Sequence, residues 1–364
     1  MDANIGGRVR QLLAAAPARP QREVAKLLAM TPDAFSRALN GYRAFSSIEL
    51  AKIADLFQSD VHWIITGEPD PHRLILAARH DFDPSTGKRS NPGRDGDADE
   101  LRNVELAYRQ AYGGNGMPGV LPRVPSELRE VLGDDFIRPF VERLESRLGV
   151  DVVRIAGVST AYSFTFGSRH VMVIPAMGNW FRENWSIAHE LGHLALGHHV
   201  DGASAHTLDR HEAEANAFAA ELLLPETAVR AMDWTTIDTA GLALRVWQFG
   251  VSTDAIAKRL EALRIKPTPL IREWATQPTQ RLLRLYWSGA VDHPDPITQR
   301  MEQAAIRKFP SGLVEAHVKL IASGDIGSGT LAWMLEVDRE TLDVDAPALP
   351  ALPDSEDVAE ALGL

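Results

Sequence analysis

The five residues His189-Glu190-Leu191-Gly192-His193 form a stretch whose spacing follows from bond chemistry. In a helix, residues four apart lie on one face, so both imidazoles can reach one zinc ion. Glu190 can then serve as a general base toward a water molecule at that ion. The same five-residue pattern also occurs by chance, and the two histidines then lie on a solvent-exposed helix without a metal. The neighbouring sequence has to decide between these interpretations.

The residues around this motif predict a strand followed by the helix that carries it. The run Val171-Met172-Val173-Ile174-Pro175 is short, apolar and rich in β-branched residues, which is typical of a strand. Apolar residues continue from Trp185 through Leu191 to Leu196, and they predict a helix with a buried side that ends near Gly197. A strand before a metal-bearing helix is the expected setting of a small zinc peptidase.

A third ligand is needed, because a catalytic zinc site takes three protein ligands and a water molecule. His199 lies ten residues after His189, as in the pattern HExxHxxGxxH. That pattern requires glycine at position 196, where this chain has leucine and the glycine follows at 197. His199 is therefore a weak candidate.

A better candidate lies in the stretch from His211 to Pro225, whose Ala, Glu and Leu residues predict a helix that ends at the proline. Glu212 shares a small, mostly apolar face with residues three, four, seven and eleven positions later. A carboxylate on such a face is costly to bury unless it binds a metal. Glu212 is the preferred third ligand and Glu214, on a more polar side, is the alternative.

Two motifs in this order resemble the ImmA/IrrE family of metallopeptidases over roughly residues 160–265. They are AHELGH, which ends at His193, and E-x-x-A-N-x-F-A-A-E-L-L-x-P, which begins at Glu212. The resemblance implies His189, His193 and Glu212 as zinc ligands and Glu190 as the base. It also implies a protein substrate, since family members cleave or control transcriptional repressors in bacteria and phages.

The first 80 residues predict five short helices and resemble the Cro/repressor (XRE) family of helix-turn-helix domains. The supporting motifs are Q-x-E-V-A-x-L-L from Gln21 and S-R-x-L-N-G-x-R from Ser36. Between them, Thr31-Pro32-Asp33 predicts the start of a helix. In such domains this second helix enters the major groove of DNA. The predicted DNA-binding residues are Asp33, Ser36, Arg37 and Asn40 for bases, and Arg43 for a phosphate.

The charge distribution gives this DNA-binding interpretation little support. Residues 1–80 carry a net charge of +2, and the remainder carries −13. An acidic remainder repels phosphate, and a nearly neutral domain attracts it weakly. A small helical module for protein interaction is therefore the competing interpretation of residues 1–80.

Composition excludes several classes of protein. The 364 residues include no cysteine, which rules out a disulfide scaffold, a thiolate zinc site and a cysteine nucleophile. The sequence shows no signal peptide and no apolar run long enough to cross a membrane, so we expect a cytoplasmic protein without a membrane partner. The predicted domains are 1–80 (helix-turn-helix), 81–100 (flexible linker), 101–265 (zinc peptidase) and 266–364 (helical C-terminal region).

The sequence thus predicts a mainly α protein with a small α+β zinc-peptidase core and an N-terminal five-helix helix-turn-helix domain. Its predicted function is that of a regulator that binds double-stranded DNA and uses Zn²⁺ to hydrolyse a protein, with a partner repressor as the expected substrate. The alternative is a non-enzymatic transcriptional regulator whose peptidase-like domain senses a signal or dimerises. His170 and His206 flank the metal region and are reserve candidates for a second catalytic group. The operator, the activating signal and the oligomeric state, a homodimer included, are left open.

Overall fold

The structure is a computed structural model, and it describes residues 4–15, 20–57, 59–68, 77–78, 81–83, 88–90, 94–113, 116–199, 204–291 and 295–344. The chain divides into two compact units, Met1–Arg73 and Leu74–Leu364. The first unit has one hydrophobic core and the second unit has two. Parts of the predicted linker and of the predicted C-terminal region lie outside the described residues.

The described part of the first unit consists of five short helices around one core. Thr31 caps the third helix, because its side chain accepts a hydrogen bond from the backbone N–H of Ala34 at 3.2 Å. Val9, Phe35 and Ile53 come from different helices and are fully buried together. The helices are α1 (Ile5–Ala15), α2 (Gln21–Leu27), α3 (Pro32–Leu39), α4 (Ser47–Phe57) and α5 (Val61–Thr66).

Helices also make up most of the second unit. Several begin at a residue whose side chain caps the first turn, such as Ser252, which accepts a hydrogen bond from the Ala255 N–H at 3.1 Å. The helices in its described part are α6 (Arg94–Tyr112), α7 (Pro125–Leu132), α8 (Phe140–Arg143), α9 (Trp180–Leu196), α10 (Ala205–Leu223), α11 (Glu226–Arg230), α12 (Thr239–Phe249), α13 (Thr253–Ala262), α14 (Pro269–Ala275), α15 (Thr279–Tyr286), α16 (Pro296–Gln303), α17 (Ser311–Ala322) and α18 (Gly329–Leu335).

The strands of the second unit are β1 (Ala77–Ala78), β2 (Asp81–Asp83), β3 (Lys88–Ser90), β4 (Val150–Ile155), β5 (Tyr162–Phe166) and β6 (Arg169–Pro175). β2 and β3 pair with each other. The other four form a sheet in the order β1-β5-β6-β4, in which β4 and β6 are parallel and β5 is antiparallel to both of its neighbours.

This sheet separates two cores, because successive side chains of a strand point to opposite faces. Val152 and Met172 lie in the core that contains α9 and α10, whereas Val153 and Val173 lie in the core that contains α6, α17 and α18. Helices α6, α17 and α18 therefore cover the sheet face opposite the one on which α9 packs.

Helix α6 begins at Arg94, inside the segment 81–100 that the sequence predicts as a linker. Asp97 in its first turn is buried and accepts hydrogen bonds from the hydroxyls of Ser159 and Tyr162, both at 2.7 Å. These partners lie 62 and 65 residues away in the chain. The polar and glycine-rich composition of residues 81–100 favoured a linker, because composition cannot reveal contacts with residues so distant in the chain.

The mainly helical architecture with a small mixed sheet confirms the predicted fold class in outline. The assignment of residues 1–80 to a DNA-binding helix-turn-helix stays a prediction. Among the described residues, no helix combines the length and the apolar character needed to cross a membrane.

Candidate metal centre

Helix α9 carries the HELGH motif through the interior of the second unit. It begins at Asn179, whose side chain accepts a hydrogen bond from the backbone N–H of Arg182 at 3.2 Å, and it ends at Gly197 with a φ of 74°. The sheet lies on one side of α9 and α10 on the other. His189 and Glu190 are consequently fully buried, and His193 is 2% exposed.

Helix α10 approaches α9 closely because the residues at the crossing are small. A Cβ atom built on Gly192 would lie 3.2 Å from the Cα atom of Ala215, tighter than ordinary packing. Ala215 and Ala219 are both fully buried, and Ala215 lies directly against Gly192 of α9. The close backbone contact brings Glu212, one turn before Ala215 on the same helix, to the two histidines of α9.

The side chains of His189, His193 and Glu212 converge on one point. The two Nε2 atoms lie 3.1 Å apart, and Glu212 places one oxygen 3.4 Å from Nε2 of His189 and the other 3.6 Å from Nε2 of His193. Zinc bonds of about 2.0–2.1 Å in a tetrahedron separate the ligand atoms by roughly 3.3 Å. The three distances bracket this value, so the three residues fit a metal ion of the size of zinc.

Burial favours the form of His193 that binds a metal. Burial and, to a smaller extent, the nearby His189 lower the pKa of His193 to about 2, whereas Glu212 acts in the opposite direction. The imidazole is therefore neutral at physiological pH and has a lone pair available on one ring nitrogen.

Glu190 follows the first histidine on α9 and faces the sheet. Its Oε2 accepts a hydrogen bond of 2.7 Å from the hydroxyl of Ser163 on β5. Both residues are fully buried. The carboxylate is thus fixed between the metal-bearing helix and the strand next to it.

His199, the third-ranked ligand candidate, is not part of the converging group. Its Nε2 lies 3.0 Å from the carbonyl oxygen of Ser163 and 3.2 Å from the hydroxyl of the same residue. Burial lowers its pKa to about 4, although the hydrogen bond to the carbonyl partly opposes this. His199 is therefore a neutral residue that ties the end of α9 to β5.

Glu214, the alternative to Glu212, faces a different histidine. Its Oε2 lies 3.0 Å from Nε2 of His198, and Nδ1 of His198 lies 3.0 Å from Nδ1 of His193. The ring of His211 stacks on that of His198, with centroids 4.0 Å apart and an angle of 3° between the planes. His198, His211 and Glu214 thus form a second group beside the first.

The two reserve histidines lie apart from both groups. His170 Nε2 is 2.7 Å from the carbonyl oxygen of Gly119, to which it donates, so it anchors the loop before α7. His206 is exposed near the start of α10. Neither position suggests a catalytic role.

Sequence reasoning missed Ser163 and His198. Ser163 lies 27 residues before Glu190, and only the pairing of the strands brings it there. His198 offered a weak signal, since it follows the predicted helix end at Gly197 and precedes another histidine.

The predicted DNA-binding residues lie on or just after α3 in the first unit. Asp33, Arg37 and Asn40 are exposed, and Ser36 is half-buried. Arg37 stands in the last turn of the helix and Asp33 in the first. These four residues lie on the side of α3 that does not contribute to the core, and their contact with DNA stays a prediction.

Arg43, the predicted phosphate contact, is already paired. Its guanidinium donates to both carboxylate oxygens of Glu49, at 3.0 and 2.7 Å. This pairing raises the pKa of Arg43 and lowers that of Glu49. Glu49 also accepts from the backbone N–H of Ser46, whose hydroxyl in turn accepts from the Glu49 N–H, so Ser46 and Glu49 form a capping box at the start of α4.

Comparison with known proteins agrees with this geometry. Residues 145–261 match the model of the M78 peptidase family described as the IrrE N-terminal-like domain. The match covers about a third of the chain and includes both α9 and α10. It supports the resemblance to the ImmA/IrrE family and a metallopeptidase-like function. No curated protein and no solved structure matches the chain.

Proposed function

We propose that the second unit is a zinc-dependent endopeptidase and that the first unit binds double-stranded DNA. The observation that carries the enzymatic part is the convergence of His189, His193 and Glu212 to ligand distances, with Glu190 next to them on the same helix. Two imidazoles and a carboxylate are a ligand set of catalytic zinc sites.

Each residue has a distinct role in peptide hydrolysis. His189, His193 and Glu212 would hold the zinc ion, which would lower the pKa of a water molecule and polarise the carbonyl group of the substrate. Glu190 accepts the proton of the attacking water and returns it to the leaving amine. Ser163 donates to Oε2 of Glu190 and fixes the direction of its carboxylate.

The substrate class of this proposal is a protein, with a transcriptional repressor as the specific candidate. The resemblance to the ImmA/IrrE family carries that candidate. A DNA-binding first unit would bring the peptidase to sites where repressors are bound, and the exposed positions of Asp33, Arg37 and Asn40 on α3 suit such a contact.

A second candidate function is a non-enzymatic regulator in which the metal group stabilises a sensory or dimerising domain. One observation favours it: His189, Glu190, His193 and Glu212 are all at most 2% exposed. A structural metal needs no access, whereas a substrate must reach Glu190 and the ion.

Cleavage by the zinc-loaded chain separates the two candidates. The wild type and Glu190→Gln are incubated with peptides from a digested bacterial proteome and with an undigested bacterial lysate, and new termini are identified by mass spectrometry. We expect termini that only the wild type produces, with one zinc per chain in both proteins. A wild type that binds zinc but yields no such termini from either probe would overturn the enzyme and leave the regulator.

A further inference from the structure

Three side chains connect the metal group to the surface through two hydrogen bonds. Nδ1 of His193 is 3.0 Å from Nδ1 of His198, and Nε2 of His198 is 3.0 Å from Oε2 of Glu214. His193 and His198 are buried, and the Glu214 side chain is 47% exposed. The series thus runs from a buried imidazole to a carboxylate in contact with water.

The proton positions in this series follow from the role of His193. If Nε2 of His193 gives its lone pair to a metal, Nδ1 of the neutral ring carries the proton and donates to Nδ1 of His198. The remaining proton of His198 is then on Nε2 and is donated to Glu214. Both rings remain neutral, and every donor meets an acceptor.

The other ligand histidine lacks this support. Within the described residues, Nδ1 of His189 is buried without a hydrogen-bond partner. Metal-binding histidines generally have their second nitrogen held by a carboxylate, a carbonyl or water, which fixes the ring and raises its basicity. His193 therefore carries the larger share of the orientation of the site.

The neighbouring ring explains why His198 keeps its position. His211 stacks on it nearly parallel at 4.0 Å. The same stacking argues against a second metal bound by His198, His211 and Glu214, although these three could be close enough. A ring nitrogen binds a metal in the plane of its ring, and two parallel stacked planes do not meet at one ion.

We propose that Glu214 and His198 form a hydrogen-bond relay that orients His193 as a metal ligand. The inference rests on the proposed function insofar as His193 binds zinc, but it does not require cleavage. Glu214 and His198 are positioning residues that act through His193.

The test measures the zinc affinity of the full chain by competition with a chelator. We expect His198→Ala to raise the zinc Kd about 10–100-fold, the usual cost of losing such a partner. Glu214→Gln should raise it less, because the amide oxygen still accepts the proton but carries no charge. The matched control His206→Ala removes an exposed imidazole from the helix that carries Glu214 and should leave the Kd unchanged.

A second measurement determines which ring nitrogen of His193 and of His198 carries the proton. Long-range ¹H–¹⁵N NMR of the zinc-loaded wild type should show His193 protonated on Nδ1 and His198 protonated on Nε2. Circular dichroism of each variant shows whether it is folded, so that a loss of zinc through unfolding is recognised.

Several results would overturn the relay. Unchanged zinc affinity in folded His198→Ala and Glu214→Gln would do so, as would His198 protonated on Nδ1. Two zinc ions per wild-type chain, with one lost in His198→Ala, would replace the relay by a second metal site. A wild type that binds no zinc would overturn both this inference and the proposed function. A wild type that binds zinc but cleaves no protein would overturn the peptidase proposal alone.

Discussion

The hydroxyl of Ser163 donates a 2.7 Å hydrogen bond to the carboxylate of Glu190, and neither side chain is exposed. The contact joins strand β5 to the helix that carries the motif. Hydrogen bonds to charged groups contribute about 1.5–3 kcal/mol, more than those between neutral groups. The direction of the proposed base is therefore set by the sheet as well as by its own helix.

Removing this hydroxyl should impair cleavage and leave metal binding intact. We expect Ser163→Ala to lower kcat about tenfold or more, since about 1.4 kcal/mol corresponds to a factor of ten. Steady-state kinetics on a peptide identified as a substrate measures this, and zinc stoichiometry should remain one per chain. Thr165→Val, two residues along the same strand, is the control. Equal kcat values for Ser163→Ala and the wild type would show that the contact has no role in catalysis.

The third ligand can be identified by metal content. Glu212→Gln should abolish stoichiometric zinc binding, because its oxygens lie 3.4 and 3.6 Å from the two Nε2 atoms. Glu214→Gln and His199→Ala should keep one zinc per chain, since neither residue belongs to the converging group. Elemental analysis of the dialysed proteins gives the answer. Zinc lost from Glu214→Gln and kept by Glu212→Gln would reverse the assignment.

Gly192 should be intolerant of a single methyl group. In Gly192→Ala the new atom would lie 3.2 Å from atoms of Ala215 and Phe218, so α10, which also carries Glu212, has to give way by a few tenths of an ångström. We expect a loss of about 1–3 kcal/mol in the free energy of unfolding, as is usual for overpacking, together with weaker zinc binding. Urea denaturation and chelator competition measure the two effects.

The control for this substitution is Gly96→Ala, a change in α6 where no atom of the described residues lies within 4 Å of the added Cβ. There the better helix propensity of alanine should stabilise the protein by up to about 1 kcal/mol. If Gly192→Ala behaved in the same way, the close approach of the two helices would not determine the site.

DNA binding should depend on α3. Arg37→Ala or Asn40→Ala is expected to relax specificity by about 1–3 kcal/mol at one base position, as the loss of a base contact does. Arg43→Ala should instead weaken binding to all duplexes alike and lower the salt dependence. This effect should be small, because Glu49 already neutralises the charge of Arg43. Duplexes selected from a random pool, titrated at several salt concentrations, provide the measurement. Without salt-dependent binding of the full chain to any duplex, the first unit is an interaction module.

His317 should make the second unit sensitive to acid. It is fully buried on α17, and its Nε2 donates to the carbonyl oxygen of Ala107 on α6 at 2.9 Å. Burial lowers its pKa below 6.5, so the unfolded chain takes up a proton at a higher pH than the folded chain does. The free energy of unfolding must therefore fall as the pH drops below about 6.5.

The variant His317→Gln should show a smaller loss of stability between about pH 7.5 and about pH 5.5 than the wild type, because its side chain does not titrate. Urea denaturation at both pH values measures the difference, with the exposed residue changed in His206→Gln as a control. The same loss in His317→Gln and in the wild type would mean that other groups determine the acid response.

The spacing of residues within each helix predicted the three candidate ligands. The positions of His189 and His193 follow from helical periodicity in α9, and the apolar face of α10 indicated Glu212. The sequence could not place Ser163, because its contact with Glu190 depends on how the strands pair. The burial of Asp97 was not predicted for a similar reason. The polar sequence around it suggested a linker, whereas the burial of Asp97 depends on partners more than 60 residues away.

The turn at Gly197 directs two adjacent histidines, His198 and His199, to different contacts on α9 and on β5. Its left-handed φ of 74° ends α9 and turns the chain, so that His198 reaches back to His193 while His199 reaches across to β5. A shift of the chain by one residue at this turn would exchange the two imidazoles, leaving the ligand and the strand each with the wrong neighbour. The length of this turn is thus as strictly constrained as the HELGH spacing itself, and insertions or deletions here should be less tolerated than changes of residue type on the outer surface of α10.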